Sequence, residues 1–542
     1  CAEYLCRTRV LVIYVMSAPE LLRRGFAASR TQSTGLVLAV VCVAQFMVVL
    51  DISIVNVALP DMQRTLHMSS NGLAWVINAY TLTFAGFLLL GGRAADIWGR
   101  RRLFLLGMAI FVLMSLLGGL AQSGGQLITA RGLQGFGGAV LSPATLTILT
   151  TTFTEPRART RALGWWSAMA AAGGATGALL GGILTDLLSW RWILFINVPI
   201  GIAVFIVARL AIPESRLEGQ RPTLDWAGAL TVTGGLVSLV YAIVSTDQHS
   251  WGSASVISWL LIGVALIATF LVVESKHQHP LVPLRLFRSR GLSGANAIMI
   301  VIGSTMFSLF FFLTQYLQNV QGYSPLRAGL AFIPMPLAII VGTQLSTRLV
   351  ARVGPRVLLT IGPLIAAAGM LMLSRIHADS SYLLHVGLAG SITTFGVGMS
   401  FVPVTLSATN GVEPRDAGLA SGLINTTRQI GGSLGLAVLL TLAASRTHVL
   451  SDHGFKVAET AGFARAYAVS AIFLVAAAVV AVLVLPPLRR PLPSEQAQPS
   501  GQAQPSGQAQ PSGQAEPLAQ AAPSLPAEPE LPLGLAADLV GE

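Results

Sequence analysis

Charge is scarce in this chain. Only 11% of its 542 residues are charged, 53% are hydrophobic, and the mean hydropathy is +0.69. Soluble globular domains carry about 25% charged residues, so this composition excludes that class. Lysine occurs only as Lys276 and Lys456, and the net charge of +11 therefore comes from arginine. The arginines stand in short clusters between apolar runs, which is typical of membrane loops and argues against a nucleic-acid-binding surface.

The chain also lacks the residues of several kinds of site. Its three cysteines, Cys1, Cys6 and Cys42, form neither a disulfide framework nor a metal-ligand spacing. It has no GxxxxGK[ST] string, and no loop between its apolar runs is long enough for a nucleotide-binding domain. No nucleophile–base constellation appears in the loops. We therefore expect no metal, no cofactor, no use of ATP and no enzyme activity.

Long apolar runs are abundant instead. Fourteen segments are long enough to cross a bilayer as helices. Their approximate limits are 35–59, 73–92, 103–122, 127–152, 162–187, 190–211, 224–246, 255–274, 292–318, 325–347, 356–375, 383–410, 417–445 and 464–486. Pro334 and Pro336 weaken one of these segments. The sequence predicts an all-α integral membrane protein with 14 transmembrane helices.

Basic residues alternate between the two sides of this array. Loops after even-numbered segments carry Arg93 and Arg100–Arg102, Arg157, Arg159 and Arg161, Arg216 and Arg221, Lys276 with Arg285, Arg288 and Arg290, then Arg348, Arg352 and Arg356, and Arg415. Loops after odd-numbered segments hold at most one basic residue, except 446–463. The positive-inside rule therefore predicts a multi-pass protein of the cytoplasmic membrane with both termini in the cytoplasm.

An internal repeat relates segments 4–5 to segments 12–13. Glu155-Pro156-Arg157 recurs as Glu413-Pro414-Arg415, and Gly164, Gly173, Gly174 and Gly177 recur with identical spacing as Gly422, Gly431, Gly432 and Gly435. Gly138, Pro143, Thr145 and Leu146 recur as Gly398, Pro403, Thr405 and Leu406. Both copies have the same membrane orientation, and such parallel repeats are typical of transporters built from two halves. The predicted fold is two six-helix halves with an inserted two-helix hairpin.

These patterns divide the chain into five parts. Residues 1–34 form a cytoplasmic segment in which Met16 is a plausible translation start, and we read no cleaved signal peptide there. The parts that follow are the first half at 35–211, a linker with helices 7 and 8 at 212–291, the second half at 292–490, and a tail at 491–542. The tail repeats Pro, Ser, Gly, Gln and Ala without an apolar face, so we expect it to be disordered and dispensable for transport, with a binding role as the alternative.

One carboxylate lies deep inside an apolar segment. Asp51 stands in LDISIVNVALP, about 13 Å inside the end of its segment at Pro60. An intramembrane carboxylate is costly unless it faces a partner, a cavity or water, so it is a functional-site hypothesis by default. We expect Asp51 to carry a proton and to be the one deeply buried carboxylate.

The loop between segments 2 and 3 reads GGRAADIWGRRRLFLLG. Its pattern Gly92-x-x-x-Asp96-x-x-Gly99-Arg100-Arg101 resembles the signature loop of the major facilitator superfamily. The resemblance implies a gating loop in which the glycines allow a tight turn. Asp96 would pair with an arginine and accept helix N-terminal donors. An ordinary basic loop is the alternative.

Segment 4 carries RGLQGFGGAVLSPATL, similar to the superfamily's motif with an intramembrane arginine. In that interpretation Arg131 faces the cavity and biases the protonation of a nearby acid, because an adjacent cation stabilises a carboxylate. The alternative is an anchor whose side chain snorkels to the membrane surface.

Segment 5 reads AAAGGATGALLGGIL, and its glycines Gly173, Gly177, Gly181 and Gly182 permit close helix packing. It resembles the superfamily's antiporter motif, except that Ala178 stands where a proline usually follows the middle glycine. Plain helix packing is the alternative to a role in antiport.

Further strings narrow the resemblance. LDISIVNVALP, SWRWILFINVPIG and GLASGLINTTRQIGGSLG, together with fourteen segments, look like the drug:proton antiporters of the QacA/EmrB type. The resemblance implies a monomeric, proton-coupled exporter of hydrophobic or amphipathic small molecules within the lipid bilayer. The candidate cavity residues are Asn56, Trp75, Tyr80, Gln134, Asn296 and Gln315. An uncoupled facilitator or importer, or a non-transporting receptor, is the alternative.

The second-half segments contain no acid. Some exporters of this type that handle dications carry additional acids there, so we expect neutral, monocationic or anionic substrates. Arg428 lies near the cytoplasmic end of segment 13 and is expected to snorkel.

Overall fold

The computed structural model describes residues 34–215, 224–246, 249–278, 280–410, 412–413 and 416–486, and all regular structure within them is helical. The predictions for residues 1–33 and for the tail at 491–542 lie outside this part of the chain. Fourteen long helices follow one another, and we number them α1 to α14.

The helix bounds are α1 Thr34–Leu66, α2 Ser70–Trp98, α3 Arg100–Gly119, α4 Gly124–Thr152, α5 Pro156–Leu187, α6 Trp192–Ala211, α7 Trp226–Ser245, α8 Ala254–Lys276, α9 Arg290–Val320, α10 Pro325–Val353, α11 Pro355–Leu373, α12 Tyr382–Thr409, α13 Ala417–Val449 and α14 Phe455–Val484. Helix α10 is interrupted between Ala331 and Pro334, where its two prolines begin the longer segment. Turns of π-helix end α9 and begin α12, and short 3-10 helices cover Leu284–Arg288 and Ser451–His453.

Thirteen helices in the described ranges are long and apolar enough to cross a membrane. The exception is α4, which is rich in glycine and threonine and contains Arg131. It packs against α2 and α3, so much of its surface faces protein and can be less hydrophobic than a lipid-facing helix. The all-α membrane fold predicted from the sequence is confirmed.

The two predicted boundaries that differ most from the helix ends are off by seven and nine residues. Helix α1 continues through Pro60 to Leu66, because in a long packed helix neighbouring groups offset the single hydrogen bond that a proline removes. Helix α14 begins at Phe455 instead of residue 464, so it includes Glu459 near its start. The claim that the second-half helices contain no acid therefore holds only away from that end.

Connections between successive helices are short, so the helices alternate in direction. One end of the bundle holds the start of α1 and the described arginine-rich loops, such as those with Arg100–Arg102 and Arg285–Arg290, and we call it the basic face. The other end is called the opposite face. Helix packing follows the sequence repeat: α1 packs on α5, and α2 and α3 on α4, just as α9 packs on α13, and α10 and α11 on α12.

Glycines permit the closest of these contacts. A Cβ at Gly173 of α5 would lie 2.6 Å from the Phe46 carbonyl oxygen of α1. Its counterpart in the repeat, Gly431 of α13, would collide in the same way with the Ile300 carbonyl oxygen of α9. Both halves therefore bring their first and fifth helices together through backbone-to-backbone approach.

The halves meet most closely toward the opposite face. Gln318 of α9 donates from Nε2 to the Val57 carbonyl of α1 at 2.7 Å. A Cβ at Gly182 of α5 would lie 2.6 Å from the Pro325 carbonyl oxygen at the start of α10. Toward the basic face, side chains of the same two helices are exposed, including Trp165 at 55% and Leu345 at 39%. Helix α5 packs on Pro325–Ala331 at the start of α10 but scarcely on Pro334–Val353, so the two helices diverge toward the basic face.

The inserted helices lie across the junction of the halves. Helix α7 packs against α2 of the first half and α13 of the second, whereas α8 packs mainly on α7. Asn71 of α2 donates to the Val244 carbonyl at 3.2 Å, and Thr441 of α13 donates to the Ile243 carbonyl at 3.1 Å. Carbonyls in the last turn of a helix lack the usual donor four residues on. The carbonyls at the end of α7 accept from Thr246 and from both halves.

Candidate functional site

Asp51 lies near the middle of α1, and its side chain is fully buried. Three side chains from two other helices donate to its carboxylate. Arg131 Nη1 is 2.5 Å from Oδ2, while Gln134 Nε2 and Asn197 Nδ2 are each 2.9 Å from Oδ1. Asp51 is thus held by one guanidinium and two amides.

Arg131 is 2% exposed and points into the first half. Besides Asp51, its Nη1 donates to Gln134 Oε1 at 2.8 Å, and its Nε donates to the Val76 carbonyl of α2 at 3.3 Å. The guanidinium carbon lies 4.3 Å from the centroid of the Tyr80 ring, a cation–π contact. The snorkelling alternative for Arg131 is therefore wrong, because its charge is satisfied inside the protein.

Two members of this cluster were not candidates in the sequence analysis. Asn197, at the bend of α6, also donates to Ser115 Oγ of α3 at 3.0 Å, and Ser115 donates to the Leu194 carbonyl at 2.9 Å. The asparagine stands in the string FINVPIG, which served there only to indicate the family. Asn197 is a polar residue among apolar neighbours, and this could have made it a candidate. Nothing in the string, however, indicates that it contacts Asp51.

The two charged members of the cluster compensate each other. Asp51 and Arg131 neutralise each other, so the buried pair carries no net charge. Adding a proton to Asp51 would leave the Arg131 cation without a counter-ion in a site that excludes water, which is costly. Arg131 also contacts the Val76 carbonyl and the Tyr80 ring, and these contacts do not depend on the charge of Asp51.

The signature loop forms a second polar group at the basic face. Asp96 Oδ1 pairs with Arg100, whose Nη2 is 3.0 Å away, as expected. Gly99 adopts a φ of +106°, a left-handed conformation that favours glycine. The loop is therefore a tight turn between α2 and α3 that is closed by an ion pair.

The backbone N–H at the start of α3 was expected to donate to Asp96, but it donates to Glu214. Arg101 N donates to Glu214 Oε1 at 3.2 Å, and Arg102 Nε lies 3.6 Å from Glu214 Oε2. Glu214 follows α6 and returns to this loop, a contact that no local pattern predicts. Gly92 has room for a Cβ, 3.5 Å from the Pro143 Cβ, and the close helix approach occurs one residue earlier, at Gly91.

The glycines of α5 contact two different helices, α1 and α10. Gly173, Gly177 and Gly181 face α1, where a Cβ at Gly181 would lie 2.7 Å from the Ile54 carbonyl oxygen. Gly182 faces α10 across the junction of the halves. All four positions are close helix contacts, and one of them lies between the halves.

The candidate cavity residues do not form one group. Tyr80 and Gln134 belong to the Asp51 cluster. Asn56 donates to the Ile52 carbonyl of its own helix at 3.2 Å. The Trp75 ring lies 6.3 Å from the Tyr241 ring of α7, so it packs against the inserted hairpin.

The second-half candidates are separated from that cluster. Asn296 Oδ1 accepts from Thr427 at 2.7 Å. Gln315 is buried, and its Oε1 has no hydrogen-bond partner. Arg428, expected to snorkel, donates from Nη2 to Asn425 Oδ1 of its own helix at 2.9 Å.

Asp51 is not the one deeply buried carboxylate, so that expectation is wrong. Asp225 is 1% exposed, Glu274 3% and Asp416 9%. These three lie at helix ends near the basic face, where surrounding loops cover them, and apolar-run length does not reveal such burial. Within the described ranges, no group of three or more His, Cys, Asp or Glu residues could hold a metal ion.

A family model described as the Major Facilitator Superfamily matches residues 41–436. The chain belongs to the major facilitator superfamily. The matched range of this superfamily member contains Asp51, Arg131, the signature loop and the inserted hairpin. The family expected from the sequence is confirmed.

Curated relatives of this superfamily member are of similar length. The Cephamycin export protein CmcT of Amycolatopsis lactamdurans is 45% identical, over 85% of this chain and 94% of the relative. The Puromycin resistance protein pur8 of Streptomyces alboniger is 42% identical, over 81% of this chain and 88% of the relative. The Tetracenomycin C resistance and export protein of Streptomyces glaucescens is 35% identical, over 76% of each.

Solved structures show the same fold at low sequence identity. The human organic anion transporter MFSD10 (TETRAN) aligns with a TM-score of 0.55 and 15% identity, over 83% of this chain and 99% of that one. A bacterial homolog of the human lysosomal transporter Spinster, in an inward-facing and occupied conformation, gives 0.56 and 17%, over 83% and 96%. These similarities support the fold alone.

Proposed function

We propose that this protein is a proton-coupled antiporter that exports hydrophobic or amphipathic small molecules, drugs or antibiotics across the bacterial cytoplasmic membrane. The observation that carries the proposal is the buried ion pair of Asp51 and Arg131 with its two amide donors. A neutral, sealed pair that one proton converts into an unpaired cation is a suitable trigger for a conformational change.

Relatives support the direction and the substrates. Proteins 45% and 42% identical to this chain are named for cephamycin export and puromycin resistance. The arginine-rich loops support a cytoplasmic basic face with both termini on that side. In that orientation the described arrangement is closed toward the outside and separates α5 from α10 toward the cytoplasm.

The cycle would start from this arrangement with Asp51 charged and Arg131 paired. Substrate enters from the cytoplasm, the halves rock, and a proton reaches Asp51 from the outside. Protonation releases Arg131 from Asp51 and leaves it held by the Val76 carbonyl and the Tyr80 ring. Each charge that crosses the membrane is worth about 2.3 kcal/mol per 100 mV, which supplies the driving force. We expect a single chain to be the transport unit.

Neutral, monocationic or anionic amphipathic molecules are the proposed substrate class. The second half offers uncharged polar groups in mid-membrane, including Gln315 and the Asn296–Thr427 pair. Its acid in α14, Glu459, lies near the opposite face. A dication would find no second carboxylate at the middle of the bundle among the described residues.

Proteoliposomes with a pH-sensitive dye inside test the coupling. A drug-susceptibility panel in a pump-deficient host first identifies a transported compound, with puromycin, a lipophilic monocation and a bis-quaternary dication included. Adding that compound to wild-type vesicles should drive proton flux, and Asp51→Asn should abolish it. Asp61→Asn is the matched control, because Asp61 lies on the same helix in a partly exposed pair with Arg64.

Proton-driven export that survives Asp51→Asn would remove Asp51 from the coupling. Downhill transport without proton flux in the wild type would identify an uncoupled facilitator. No transport of any compound on the panel would favour a receptor, and robust resistance to the dication would contradict the substrate class.

A further inference from the structure

The inserted hairpin places two buried carboxylates at the basic face. Asp225 immediately precedes α7 and is 1% exposed, while Glu274 lies in the last turn of α8 and is 3% exposed. The two residues interact electrostatically with each other and with Arg93 of α2. Arg93 follows Gly92 directly, so this group lies beside the signature loop.

Each carboxylate has one oxygen bound and one oxygen free. Asp225 Oδ1 accepts from Gly228 N at 2.7 Å, whereas its Oδ2 has no hydrogen-bond partner. Glu274 Oε2 accepts from Val282 N at 3.1 Å, whereas its Oε1 has no partner. Burying an unpartnered carboxylate oxygen is expensive, and burying a whole charge costs far more.

The charges of this group do not balance. Among the described residues, two carboxylates interact electrostatically with one guanidinium here, which leaves one excess negative charge when both are ionised. Lys276, at the same helix end, is exposed, and His277 is half-exposed with its backbone N–H bound to the Val273 carbonyl at 2.8 Å. A proton on one of the two carboxylates removes the excess charge without moving any helix.

Helix ends decide which carboxylate holds that proton. Asp225 is the N-cap of α7, where backbone N–H groups and the positive end of the helix dipole favour a negative charge. Glu274 lies at the C-terminal end of α8, where the negative end of the dipole opposes one. The helix ends therefore favour the proton on Glu274.

We propose that Glu274, together with Asp225 and Arg93, forms a second proton-binding site that joins the inserted hairpin to the signature loop. The proton comes from the aqueous basic face and sits on Glu274 Oε1. Its loss would place an excess buried charge between α8, the start of α7 and the end of α2. The docking of the hairpin against the signature loop would thus depend on the pH of the basic face.

Infrared difference spectroscopy on the full-length protein in lipid vesicles tests this site. The difference between acidic and alkaline buffer should contain the C=O band of a buried carboxylic acid, shifted in heavy water. Glu274→Gln keeps the shape of the side chain and should remove that band. Asp225→Asn should move the titration of Glu274 to lower pH, because it removes a neighbouring negative charge. Arg93→Gln should move it to higher pH.

Controls separate this site from the one on α1. Asp51→Asn and Asp452→Asn, the latter an exposed carboxylate near the opposite face, should both retain the Glu274 band. A band that persists in Glu274→Gln, or a titration unchanged in Asp225→Asn, would overturn the proposal. Should Glu274→Gln fail to fold, the two opposite shifts of Asp225→Asn and Arg93→Gln remain a sufficient test. Failure here leaves the role of Asp51 untouched, since that role is measured by proton flux.

Discussion

Replacing Asp51 by asparagine should destabilise the protein as well as uncouple it. The substitution keeps the shape and lets the new amide oxygen accept from Gln134 and Asn197. It removes the counter-ion of Arg131, which is 2% exposed and 2.5 Å from the carboxylate. Breaking a buried ion pair by removing one partner costs about 3–5 kcal/mol, because the remaining charge stays buried without compensation.

A double-mutant cycle tests whether charge is the reason. Arg131→Gln should cost a similar amount, since it strands the Asp51 carboxylate. The double variant Asp51→Asn/Arg131→Gln removes both charges together, so its cost should fall below the sum of the two single losses by a coupling energy of several kcal/mol. The two amides of the double variant can still hydrogen-bond to each other and to Gln134.

The assay is the free energy of unfolding in detergent micelles, measured by denaturant titration. Asp61→Asn is the matched control on the same helix, because the side chains of Asp61 and Arg64 are 24% and 70% exposed. Exposed ion pairs contribute at most about 1 kcal/mol. The reasoning is refuted if the double variant loses as much unfolding free energy as the two single variants together. It is also refuted if Asp51→Asn loses no more than Asp61→Asn.

Three further substitutions test other contacts. Thr81→Val removes the 2.5 Å hydrogen bond to Ser433 between the halves and should lower proton-driven export while leaving the Asp51 site intact; unchanged export would contradict this. Gly173→Val should cost about 1–3 kcal/mol of unfolding free energy through overpacking, whereas Gly164→Val, with no atom within 4 Å, should cost nothing measurable. Glu214→Gln should speed protease cleavage near the signature loop, because the start of α3 loses a carboxylate acceptor; an unchanged cleavage rate would count against that role.

Features that depend on residue spacing or on the length of an apolar run could be predicted from the sequence. Apolar run length predicted the helices, the glycine spacing predicted close contacts, and the arginine-rich loops predicted which ends lie together. Asp51 was recognisable because a carboxylate in an apolar run is costly unless it serves a function. The motif in segment 4 then indicated Arg131 as its partner. Pro60 misled, since a proline does not end a helix whose loss of one hydrogen bond is offset by packing.

Contacts between distant segments could not be predicted in this way. Asn197 joins Asp51 only because the bend in α6 brings it there, and no local pattern distinguishes it from Asn56, which bonds to its own helix. Glu214 reaches the signature loop from the end of α6. Glu274 is buried by the chain that follows α8, so its burial depends on tertiary structure.

Helix α2 connects the Asp51–Arg131 pair directly to the second half. The Asp51–Arg131 pair lies wholly within the first half, so the proposed protonation would act there first. Helix α2 contacts Arg131 through the Val76 carbonyl and the Tyr80 ring, and the residue after Tyr80 is Thr81, which bonds to Ser433 of α13. A guanidinium that shifts along α2 therefore acts on the same turn that binds the second half. The inserted hairpin packs on both α2 and α13, and it lies where it can resist or assist that movement.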